Sequence, residues 1–243
     1  MKLKLELAIV LALSLGKAAV YSIVSIIATL TSSEGLAGSK VTINQTLSAR
    51  PLLDLTYQIL GTFFSLVPVA LCLYLLSDSA NPFKRIGFEA KPISKNLLQG
   101  LGLAAAIGIP GLSLYYTARQ LGLSAQIVTS DLSSYWWTAP VLLLSALGAA
   151  LLEEVIMVGY LFERLKQLGQ GKWATIVFSA AIRGSYHLYQ GFGGFIGNFA
   201  MGIAFGWAYR KFGRLTPLVI AHFVLDAVSF VGYAWAKTFL TWL

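Results

Sequence analysis

The sequence predicts an all-α fold: a polytopic transmembrane helical bundle of seven to eight spans. Three observations carry this reading. Of the 243 residues 57% are hydrophobic, only 12% are charged, and the mean hydropathy is +0.72. An ordinary soluble domain carries roughly twice that charge fraction, and so large an apolar excess cannot be hidden in one soluble core. The same composition excludes a disordered chain, a fibre and a small disulfide scaffold. The single cysteine, Cys72, lies in an apolar run, which rules out an internal disulfide and a CxxC site and leaves it as a small apolar residue. The net charge of +8 does not point to nucleic acid, because the cations fall in short clusters between apolar segments rather than along one face.

Runs near the ~20 residues that cross a bilayer fall at 7–31, 52–77, 97–118, 137–162, 173–189, 193–209 and 215–240. The fifth and sixth are short and the last is long enough to break, so an eighth span or a re-entrant fifth segment stays open. Thr31 to Pro51, Asp78 to Asn96 and Arg119 to Tyr135 are rich in Ser, Gly, Asn or Pro and read as loops. No internal repeat is visible, and one integral membrane domain accounts for 1–243. Lys2, Lys4, Lys84, Arg85, Lys91, Lys95, Arg164, Lys166, Lys172, Arg210, Lys211 and Arg214 share one set of alternate loops, against Lys40, Arg50 and Arg119 on the other. By the positive-inside rule the N-terminus is cytoplasmic, and with seven spans the C-terminus is outside. Tyr135, Trp136 and Trp137, and Trp173 opposite, fit an interfacial aromatic belt. Lys17 interrupts the first apolar run, which is read as an uncleaved span rather than a signal peptide.

Ionisable groups inside hydrocarbon cost at least ~2.5–3.5 kcal/mol each, so each is a functional candidate until an ordinary partner is found. Here they are Lys17, Glu153, Glu154, Arg183, His187, His222 and Asp226, with neutral Asn198 beside them. At 1.5 Å per helical residue, Glu153 lies ~16 Å, His187 ~22 Å, Asn198 ~18 Å, His222 ~12 Å and Asp226 ~18 Å from the nearest cation of the basic side. These groups therefore share a stratum near the middle of the membrane. Arg183 and His187, and likewise His222 and Asp226, are i and i+4, so each pair projects from one helical face. Gly194, Asn198, Gly202 and Gly206 repeat every four residues, a small-residue stripe that permits close helix packing.

A buried carboxylate can take a proton from water and pass it to a leaving amine, while His and Asn N–H groups stabilise an oxyanion. The set therefore resembles a peptidase centre without a side-chain nucleophile. The same residues contain the ligands of a zinc site, two His and one Glu with the second Glu as base. The HExxH spacing is absent, so this is the less favoured reading. Each residue also has an ordinary role open to it: Arg183 as a neutralising partner of Glu153 or Glu154, Lys17 likewise or snorkelling to the interface, and Asn198 as helix-packing glue.

Glu153-Glu154 followed by Gly159-Tyr160-Leu161, then Arg183-x-Ser185-Tyr186-His187-Leu188-Tyr189-Gln190-Gly191, then His222-x-x-x-Asp226, resemble in order the motifs of the CAAX prenyl endopeptidase and bacteriocin-processing family, also called the Abi family. The resemblance covers a peptidase-like core at 135–232. It implies an intramembrane protein, many of its relatives being bacterial, that cleaves a membrane-associated protein or peptide by a metal-independent glutamate mechanism without a cofactor. It implies Glu153 as the base activating water, Glu154 as its neighbour in the paired motif, and His187 and His222 as groups that polarise water or hold the oxyanion. Asp226 falls where the family has Asn or Asp. Two positions depart from the pattern: Val158 stands where the motif has Arg, and Arg183 where it has Phe, so Arg183 is expected to supply the missing charge from another helix. Three other functions compete: a serine protease using Ser185 with His222 and Asn198, a non-catalytic immunity, scaffolding or peptide-binding protein, and a proton-coupled transporter. Ser185 lacks the GxSG turn, and the transporter lacks repeats or paired broken helices.

Overall fold

The computed structural model describes residues 1–78 and 80–232. The outer end of the segment expected at 215–240, and the side on which the C-terminus lies, fall outside the described residues. The chain begins with α1 (Lys2–Leu13) and α2 (Leu15–Leu30). They are parts of one apolar stretch bent by 54° at Ser14, whose hydroxyl donates back to Val10 O at 2.6 Å. The run expected as one straight span is therefore broken. Lys17 is exposed just past the bend and, among the described residues, makes no ion pair; the expected neutralisation of a glutamate by Lys17 is not found.

The short α3 (Gly35–Gly38) leads into β1 (Lys40–Asn44), which pairs in parallel with β2 (Gln126–Ser130), Lys40 opposite Gln126 and Asn44 opposite Ser130. Both strands fall in segments expected to be loops, so the fold is helical with one small sheet. Val41, Thr42 and Ile43 against Ile127, Val128 and Thr129 supply β-branched residues that favour extended backbone. Asn44 fixes the sheet to the helices: its amide donates to Thr129 O at 2.9 Å, and its carbonyl accepts from Ser145 Oγ at 2.9 Å.

α4 (Pro51–Ser65) and α5 (Val67–Leu76) form one 26-residue stretch, and α6 (Pro82–Arg85) precedes the 28-residue α7 (Ile93–Gln120). α8 (Thr138–Glu154) runs through a π-helical turn, Val155–Tyr160, into α9 (Leu161–Gln167). α10 (Lys172–Tyr186), a 3₁₀ turn at Leu188–Gln190, α11 (Phe192–Phe212) and α12 (Thr216–Ala227) complete the order, α12 passing into a second π-helical turn at Val228–Gly232. Among the described residues, 51–76, 93–120 and 138–167 are long and apolar enough to cross a membrane, and 2–30 makes a fourth if its bent halves count as one. Each segment read as a span is largely helical where described, so the all-α reading holds; length and composition support three or four spans among the described residues and do not establish the expected seven to eight. α10 is 15 residues long, and Thr216–Gly232 is a further apolar helix among the described residues.

The Val155–Tyr160 turn, all six of its residues buried, lies at the centre of the core between α8 and α9 and packs against α5, α10 and α11. The small-residue stripe of α11 packs as its spacing predicts. A Cβ on Gly202 would come within 2.8 Å of Ala180 Cα, and one on Gly206 within 3.0 Å of Ile176, so glycine is what lets α11 approach α10 this closely.

Candidate active site

Glu153 and Glu154 end α8 immediately before the π-helical turn. One residue added to a helical turn rotates the stretch before it against the stretch after it, and such turns recur at functional sites. Ser179 Oγ of α10 donates to Met157 O at 2.7 Å, giving a carbonyl of the widened turn a partner. The two carboxylates sit in different surroundings.

Glu154 is fully buried. Its Oε1 accepts from Arg183 Nη2 of α10 at 2.5 Å and stands 2.7 Å from His222 Nδ1 of α12. His222 Nε2 lies 3.5 Å from Asp226 Oδ2, one turn further along α12. Both ring nitrogens of His222 therefore face carboxylate oxygens, and Phe205 closes over its ring at 6.3 Å, edge to face. The Arg183 guanidinium, 1% exposed, lies 5.4 Å from the Phe205 ring centroid, a favourable cation–π distance. Arg183 thus pairs with Glu154 from another helix, and Val158 is itself buried in the core.

Glu153 keeps 8% of its surface accessible. Tyr186 donates its hydroxyl to Glu153 Oε2 at 2.6 Å, while Arg183 Nη1 stands 3.9 Å and His187 Nε2 3.8 Å from the same oxygen. Arg183 and His187 reach one carboxylate from one face of α10, as their spacing of four predicts. His187 caps α10, which ends at Tyr186, and opens the 3₁₀ turn that finishes at Gly191 with φ 106°. A side chain at Gly191 would be strained, and its Cβ would lie 2.6 Å from Leu123 O, so glycine is required to close this turn against the segment before β2. Gln190 O accepts from Ala125 N at 3.0 Å, and Tyr189 N donates to Ser22 Oγ of α2 at 2.6 Å. Gln190 Nε2 lies 3.3 Å from His187 Nδ1 and donates to Tyr189 Oη at 3.0 Å.

The structure thus brings together Glu153, Glu154, Arg183, His187, His222 and Asp226. Asn198 bonds within its own helix, its amide donating to Gly194 O at 3.0 Å, the helix-packing role rather than a bond to either glutamate. Ser185 Oγ likewise donates to Ala181 O at 2.7 Å, which gives the serine reading no nucleophile–base pair. Sequence reasoning missed Tyr186, Gln190 and Phe205 as contributors. Tyr186 and Gln190 flank His187 within the same motif, whereas nothing in the sequence distinguishes Phe205 from its neighbours.

Among the described residues, no three His, Cys, Asp or Glu side chains form a group suited to a metal ion. His222 Nδ1 and the Arg183 guanidinium converge on the same oxygen of Glu154, and a cation placed there would meet a fixed positive charge. These residues do not fit a zinc ion.

The stretch that carries the three motifs and both glutamates is matched by a known family model. The stretch is Rce1-like. Residues 135–228 match the family model described as type II CAAX prenyl endopeptidase Rce1-like, about two fifths of the chain. The Rce1-like segment begins at the aromatic belt before α8 and closes just beyond Asp226, so it contains every residue of the constellation. The resemblance read from the three motifs is borne out over this stretch, which is similar to a protease family, and among the described residues three or four helices are long and apolar enough to cross a membrane. Neither the curated proteins nor the solved structures include a match to the chain.

Proposed function

We propose that the protein is an intramembrane endopeptidase in one integral membrane domain, hydrolysing a peptide bond of a membrane-associated protein or peptide with water activated by Glu153. The observation that carries this is the division of labour between the paired carboxylates: Glu154 is enclosed by Arg183 and His222, while Glu153 keeps partial access and faces His187 across 3.8 Å. That separation exceeds a direct hydrogen bond, and a water oxygen lying off the line between the two atoms is within reach of both. Glu153 takes a proton from this water as its oxygen attacks the scissile carbonyl carbon. The carbonyl electrons move onto oxygen, and the C–N bond then breaks as Glu153 returns the proton to the leaving amine.

Gln190 Nε2 donating to His187 Nδ1 leaves the neutral ring's hydrogen on Nε2, directed at the place where the oxyanion forms. Arg183 Nη1, without a hydrogen-bond partner among the described residues, offers a second donor on the same side. Tyr186 fixes the Glu153 carboxylate. Glu154, His222 and Asp226 hold Arg183 in place, so His222 is a positioning residue, a departure from the oxyanion role that the resemblance implies for it. The donor set supports a metal-independent reaction. The distribution of cations supports a cytoplasmic N-terminus, and the family a bacterial plasma membrane.

The test compares peptide products of membranes holding wild type and Glu153→Gln at equal abundance, with and without a zinc chelator. Loss of products in the variant alone is expected. Loss with chelator as well would replace the glutamate mechanism by a zinc one, and unchanged products with a folded variant would leave a peptide-binding or immunity function.

A further inference from the structure

On the basic side of the bundle an open groove of about 340 Å³ runs along the turn between α9 and α10, lined by Leu165, Gln170, Ala174, Thr175 and Phe178. Its walls are apolar on the bundle side, and three features at its end point to an anion. Thr175 is 1% exposed, yet its hydroxyl has no hydrogen-bond partner among the described residues, which is costly for a buried polar group unless a ligand supplies one. α10 begins at Lys172 behind Gly171, which offers no capping side chain, so its first N–H groups and the positive end of its dipole are free. Lys166 follows Leu165 by one residue and Lys172 precedes Ala174 by two. Both are exposed, and neither is in an ion pair among the described residues. Trp173, next to Lys172 and 63% exposed, suits the headgroup level of a bilayer.

We infer that this groove binds an anionic glycerophospholipid, its phosphate at the start of α10 between Lys166 and Lys172 and an acyl chain along Leu165, Ala174 and Phe178. Charge complementarity selects the occupant: a zwitterionic lipid matches the apolar wall but offers no net charge to the two lysines and the helix end. The inference stands apart from the proposed peptidase activity, since no residue of the groove belongs to the Glu153 constellation.

The experiment is native mass spectrometry of the full chain in detergent, titrated with phosphatidylglycerol, with phosphatidylcholine of the same acyl chains, and with inorganic phosphate. Wild type is expected to retain phosphatidylglycerol selectively. Lys166→Ala with Lys172→Ala weakens that retention about 30-fold, from roughly fivefold per cation near an anionic headgroup. Ala174→Trp, which fills the groove and leaves both lysines in place, abolishes retention while the protein stays monodisperse. Equal retention of the two lipids, unchanged retention in both variants, or binding of inorganic phosphate as tight as that of lipid would overturn the inference.

Discussion

The ion pair between Arg183 and Glu154 gives the most demanding test of how this core is held together. Arg183 is 1% exposed, Glu154 has no accessible surface, and their closest atoms are 2.5 Å apart. Removing one partner of such a pair strands the other charge in a low-dielectric interior, a loss of about 3–5 kcal/mol, whereas replacing both by neutral groups of similar volume is often close to neutral. Arg183→Met is therefore expected to destabilise by about 3–5 kcal/mol, and Glu154→Gln by a smaller amount, because the amide still accepts from His222 Nδ1–H. The double variant should be more stable than Arg183→Met alone. At about 2–4 °C per kcal/mol for a chain of this size, Arg183→Met should lower the unfolding midpoint in detergent by roughly 6–20 °C, with the second substitution restoring at least half. The assay is thermal unfolding of the four proteins as a double-mutant cycle. Additive shifts, with the double variant the least stable of the four, would refute the coupling. So would a shift of under about 2 °C for Arg183→Met.

Other substitutions test separate parts of the structure. Tyr186→Phe deletes the hydroxyl that donates to Glu153 at 2.6 Å; a hydrogen bond to a charged group is worth about 1.5–3 kcal/mol, so peptide release should fall about 10- to 100-fold in a protein that remains folded, and unchanged activity would remove Tyr186 from the site. Ser185→Ala should leave both activity and stability within about 0.5 kcal/mol of wild type, since only a bond to Ala181 O is lost. Arg183→Lys should keep part of the activity that Arg183→Ala loses, and equal activity for all three versions would show that the charge is not used. Gly202→Val forces a branched side chain against Ala180 and should cost about 1–3 kcal/mol or more, read as a lower unfolding midpoint.

Much of the constellation is visible in the sequence because charge inside an apolar run is conspicuous and helical spacing fixes which charges share a face. Arg183 with His187, and His222 with Asp226, are legible on those grounds alone. Tyr186 is not, since a tyrosine is unremarkable in a membrane helix until the carboxylate it bonds is located. The sheet is illegible for a different reason: two five-residue strands far apart in the chain leave no period to detect, and each looks like polar connection. The break at Ser14 and the widened turn after Glu154 escape because neither alters the run of apolar residues. Helix order follows from hydropathy, whereas the number of true crossings does not, because the first apolar stretch is bent by 54° and α10 is only 15 residues long.

The widened turn at Val155–Tyr160 divides one continuous rod into two that read the neighbourhood differently. Ahead of it the glutamates look toward α10 and α12; Tyr160 at its end and Arg164 beyond it look toward the first helix, where both donate to Glu6 Oε1 at 2.8 Å, while Arg164 Nη2 also donates to Leu75 O at 2.6 Å. A straight α-helix of the same composition would hold these two groups at a phase about 100° per residue out of step with the one observed. Deleting a single residue between Val155 and Tyr160 should therefore change little in composition or hydropathy, yet force the rod to give up either its carboxylate neighbours or its mooring to Glu6. The extra residue acts as a clutch between the segment that bears the motifs and the helices outside it.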